Sequence, residues 1–105
     1  MDQQGLFNTI EAMKEQLKNN PGNIELSRRL EEFQVIHQIC EMILKNTTPK
    51  DIFEFIWYNE FKMKRFLNES PVIKVFIVNA LNDIRQFLPP QPREDFVHLI
   101  SRLQG

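Results

Sequence analysis

Hydrophobic and polar positions alternate along this chain with the period of an α-helix, in five segments separated by proline-containing breaks. The breaks are Asn20-Pro21-Gly22, Thr47-Thr48-Pro49, Glu69-Ser70-Pro71 and Pro89-Pro90-Gln91-Pro92. Proline cannot continue a helix but suits its first turn, so three of these breaks mark expected helix starts. The first segment, Gly5 to Asn19, puts Leu6, Ile10, Met13 and Leu17 on one face, the stripe of an amphipathic helix. The second, Asn23 to Lys45, carries Leu26, Leu30, Phe33, His37, Cys40 and Leu44 on one stripe, with Ile36, Ile39 and Ile43 beside it. Asn23 is a candidate N-cap. So broad an apolar face predicts more than one neighbour.

The third segment is introduced by Thr48 as cap, Pro49 at the first helical position and Asp51 in the first turn, and runs from Ile52 to Leu67. Its apolar residues appear nearly all round: Ile52, Phe53, Phe55, Ile56, Trp57, Tyr58, Phe61, Met63, Phe66 and Leu67. Such a helix is either central or offers apolar surface to a partner. The fourth segment, Pro71 to Leu88, is capped by Ser70. It is rich in the β-branched Val72, Ile73, Val75, Ile77 and Val78, which favour strand. Helical spacing through Ile73, Phe76/Ile77, Ala80, Ile84 and Phe87/Leu88 outweighs that preference, and no other segment reads as a pairing partner. The fifth, Arg93 to Leu103, is expected to start with Pro92 at its first position, Glu94 and Asp95 in its first turn, and Phe96, Ile100 and Leu103 as its stripe.

The expected fold is therefore all-α: a compact bundle of four to five helices joined by short Pro-containing turns. Its predicted core is built on segments two, three and four, from Leu30, Phe33, Ile36, Cys40, Ile43, Ile52, Ile56, Phe76, Ala80, Ile84 and Phe96. A length of 105 residues predicts one domain spanning 1–105.

Ile10 to Leu30 resembles the second helix of one tetratricopeptide repeat followed by the first helix of the next, with Asn20-Pro21-Gly22-Asn23 at that family's turn. No second copy follows at the expected period. The likeness implies a helical hairpin there and nothing further.

Charge and chemistry narrow the functional classes. Thirteen basic and fourteen acidic residues leave a net charge of -1, so no global field draws nucleic acid or anionic lipid. The start, Met1-Asp2-Gln3-Gln4-Gly5, lacks the basic and apolar regions of a leader. The longest apolar run, Val75 to Val78, is far below the roughly 20 residues of a membrane span. One cysteine, Cys40, cannot staple a fold. A cytoplasmic protein with no membrane contact is expected.

His37 and Cys40 are three residues apart, but zinc needs about four ligands and the one other histidine is His98. A nucleophilic Cys40 would need an electropositive, accessible niche, whereas it falls on an apolar stripe. His98 and Ser101 share the same spacing without a third member. The glycines, Gly5, Gly22 and Gly105, are isolated, so phosphate-binding loops are absent. No enzyme, metal or cofactor is expected.

What remains is the aromatic density of segment three. A non-enzymatic interaction module is the expected function, with Phe53, Trp57, Tyr58, Phe61, Lys62 and Arg65 as the contact surface and the Pro-rich turn before segment five beside it. The partner is another protein or a second copy, a homodimer burying Trp57 or Tyr58. Two alternatives stand next to it. Nucleic acid is one, bound through Lys62, Lys64, Arg65 and Lys74 with the interleaved rings. A small apolar ligand held among phenylalanines is the other.

Overall fold

The computed structural model describes residues 3–104; Met1, Asp2 and Gly105, which include the first residues of the stretch read for a leader, lie outside the described residues. Five helices follow one another: α1 (Gln3–Asn19), α2 (Ile24–Leu44), α3 (Pro49–Glu69), α4 (Pro71–Arg85) and α5 (Pro90–Gln104). Among the described residues there is no strand, and the all-α bundle matches the expectation, with α4 helical despite its β-branched run. No helix among the described residues is long and apolar enough to cross a membrane.

The turns explain the helix limits. Asn23 caps α2 as expected, its Oδ1 accepting from the Leu26 N–H at 3.0 Å. At the other end of α2, Asn46 takes a left-handed φ of 55°, which asparagine tolerates better than most residues. Asn46 N–H then donates to Ile43 O at 3.2 Å and Thr47 N–H to Met42 O at 3.0 Å, the paired bonds of a Schellman ending. Pro49 and Pro71 open α3 and α4 as predicted. Thr48 and Ser70, however, form no side-chain cap. Their carbonyls serve instead, accepting from Ile52 and Lys74. Ser70 also closes α3 by donating its N–H to Phe66 O at 2.9 Å, so one extended residue joins two helices.

Two limits differ from expectation around the proline cluster. α4 stops at Arg85 rather than Leu88 because the residue before a proline disfavours helical backbone, and two prolines follow. α5 starts at Pro90, not Arg93, with Pro89 O accepting from the Arg93 N–H at 3.0 Å. Pro92 thus falls at the third position, where helical N–H groups have no partner anyway. Glu94 and Asp95 consequently lie beyond the first turn.

α3 is the central helix. It packs against α2, α4 and α5, while α1 packs on α2. The bundle is drawn out along one axis, 50 × 22 × 22 Å. The buried cluster draws on all five helices, including Leu6, Ile10 and Met13 of α1 and Phe96, Leu99, Ile100 and Leu103 of α5, so the core is not confined to α2, α3 and α4. Of the predicted core, Leu30, Phe33, Ile36, Cys40, Ile52, Ile56 and Phe96 are buried; Ile43, Phe76, Ala80 and Ile84 are only partly so. α4 turns a different face inward, burying Ile73, Ile77, Val78 and Leu81. Its stripe is rotated because α3 and α5 both press on it.

Candidate functional site

α3 buries one apolar face and carries three large exposed rings among the charged residues of the other. Ile52, Ile56, Met63, Phe66 and Leu67 line the inward face and are buried. Phe66 meets Phe33 of α2 edge-on, centroids 4.9 Å apart at 88°. The outward face carries Phe53, Trp57 and Phe61 at successive four-residue steps, with Tyr58 beside them. That row extends about 12 Å along the axis. Trp57 is 50% exposed, Tyr58 81% and Phe61 94%.

The row is anchored at its start by α5. Phe53, partly buried, stacks on Trp57 at 5.8 Å with planes 17° apart and tilts against the buried Phe96 at 5.7 Å. The Arg102 guanidinium sits 4.9 Å from the centroid of the Trp57 ring. It is fixed there by two 2.8 Å bonds donated to the Glu60 carboxylate. A fork-on-carboxylate pair holds the guanidinium plane still, and a cation over indole adds attraction. Trp57 is therefore oriented, not loose.

Phe53 also forms a wall of two adjoining grooves. One, of about 450 Å³, is lined mainly by apolar groups of Pro49, Phe53, Leu88, Pro92 and Phe96, with Lys50 and Asp95 also on its lining. The other, of about 620 Å³, is lined by Phe53, Trp57, Asp95, His98, Ser101 and Arg102. The fold thus brings the start of the aromatic row and the proline turn together, as expected.

The two basic residues of the expected surface are exposed and carry ion pairs. Lys62 and Arg65 face α2. Arg65 donates from Nε and Nη2 to Glu32 at 3.1 and 2.5 Å, and from Nη1 to Glu25 at 3.2 Å. The hydrogen bonds to Glu32 hold the guanidinium charge more firmly than usual. Lys62 lies 3.6 Å from Glu31. Glu32, 9% exposed, also accepts from Arg29 at 3.2 Å, and Arg29 reaches Glu69 at 2.6 Å. The buried carboxylate is thus met by two arginines, as a buried charge requires. Lys74 does not extend this cluster: its Nζ donates to Gln104 O at the end of α5, where a cation complements the helix dipole.

The other candidates fall apart geometrically. Cys40 is buried in the apolar cluster, and burial, followed by the charge of Glu41, pushes its thiol up to about 11. His37 turns its ring to Phe7 at 5.9 Å and its Nε2 to Glu41 at 3.8 Å. Among the described residues no group of three metal-ligating side chains gathers. His98 and Ser101 are both exposed on α5.

Reading by periodicity missed Glu60, Arg102 and Phe96 as the frame of Trp57, since Glu60 and Arg102 are 42 residues apart in sequence. It also missed Phe87, which stands exposed on the α4–α5 turn rather than in a stripe. No protein-family model, curated protein or solved structure matches this chain.

Proposed function

We propose that this protein is a non-enzymatic interaction module that docks another polypeptide onto the outward face of α3. The observation that carries this reading is the uncovered row Trp57, Tyr58 and Phe61 on the central helix. Large rings left in water at adjacent positions cost solubility, and burying each against a partner recovers apolar area at about 25 cal/mol per Å². Tyr and Trp are favoured interface anchors, and contiguous apolar patches mark docking surfaces. The Glu60–Arg102 frame supports the same reading, because a ring held in one orientation loses less entropy on binding.

The nucleic-acid alternative is weakened by the glutamates that already meet Lys62 and Arg65, since salt-dependent binding needs cations free to meet phosphates. The apolar groove beside Phe53 and Phe96 fits a bulky side chain of the docked polypeptide as well as a small ligand.

The test is a Trp57→Ala/Tyr58→Ala double variant. A protein captured by the wild type from its host is identified, purified and titrated against both forms. The proposal expects the double variant to bind at least tenfold more weakly, consistent with losing two hot-spot rings, with far-UV circular dichroism unchanged. Equal affinity for both forms overturns the reading.

A further inference from the structure

We draw no further inference here: the strongest candidate, the pair of adjoining grooves between α3 and α5 that share Phe53 and Asp95, carries charged groups of both signs, Lys50, Asp95 and Arg102, on its lining, and nothing in the structure shows what covers it.

Discussion

The two flanks of α3 are held in different ways. Toward α2, an apolar contact between Phe33 and Phe66 is bordered by a chain of charges running Glu69–Arg29–Glu32–Arg65–Glu25. Toward α5, the seam is aromatic, with Phe53 on Phe96, and its one fork of charge, Glu60–Arg102, serves to orient Trp57. The difference teaches what each kind of contact supplies. Apolar burial is non-directional and scales with area, so the α5 flank contributes bulk stability. Directed ion pairs contribute little net energy where water reaches them but fix which residues of α2 and α3 lie opposite each other. α3 is locked in rotation by the charged flank, and its unburied rings are thereby held outward.

That contrast can be broken by substitution. Phe96→Ala removes the ring beneath Phe53 from a site 2% exposed and is expected to cost about 3–5 kcal/mol in urea unfolding, with the loss unchanged in molar salt. A loss that salt abolishes would place electrostatics in the wrong flank.

The next effect lies in α2. Burial raises the Cys40 thiol from its ordinary 9.0 to about 11. The folded state therefore holds the proton more tightly than the unfolded chain. The resulting stabilisation is full below pH 9 and is lost as pH rises through 11. The loss is on the order of 2–3 kcal/mol, and it should be missing from the pH profile of Cys40→Ala. Identical slopes for the two proteins between pH 9 and 11 would contradict the burial of the thiol.

Glu32→Ala is expected to cost about 1–3 kcal/mol, because it removes the buried carboxylate that Arg29 and Arg65 share and leaves each with one exposed glutamate partner. Glu69→Gln, at the exposed end of the same chain of charges, is expected to cost less than half of that. If the two were equal, the charges would act as a surface cloud and not as a register device. Smallest of all is Tyr58→Ser, expected to shift stability by no more than about 0.5 kcal/mol, since the ring covers nothing within the monomer. A large loss would show that Tyr58 is structural.

Much of this arrangement was legible along the chain. Proline at a first helical position locates the starts of α3 and α4 because it removes only N–H groups that have no partner. The four- and three-residue steps of Leu6, Ile10 and Met13, and the cap at Asn23, follow from local rules alone. The proline cluster misled because three candidates within four residues, Pro89, Pro90 and Pro92, compete for the helix start, and local rules do not rank them. α4 misled because its apolar residues cover so much of its circumference that the buried arc is chosen by α3 and α5, not by periodicity. The aromatic excess of α3 pointed to an exposed surface, and Trp57, Tyr58 and Phe61 occupy one. Lys62 and Arg65 are exposed beside those rings, but their pairing with Glu31, Glu32 and Glu25 of α2 was not legible, because pairing across helices leaves no mark in local spacing.

The central claim is that α3 leaves its outward rings uncovered in the isolated chain. Trp57 is the one tryptophan present, so its fluorescence reports that face without interference. Acrylamide quenching at concentrations dilute enough to hold the chain as a monomer tests the claim directly. The account predicts red-shifted emission and a quenching slope at least about half that of free indole, in line with a ring half exposed. Blue-shifted emission that resists the quencher would mean the ring is enclosed, and the docking face would not exist.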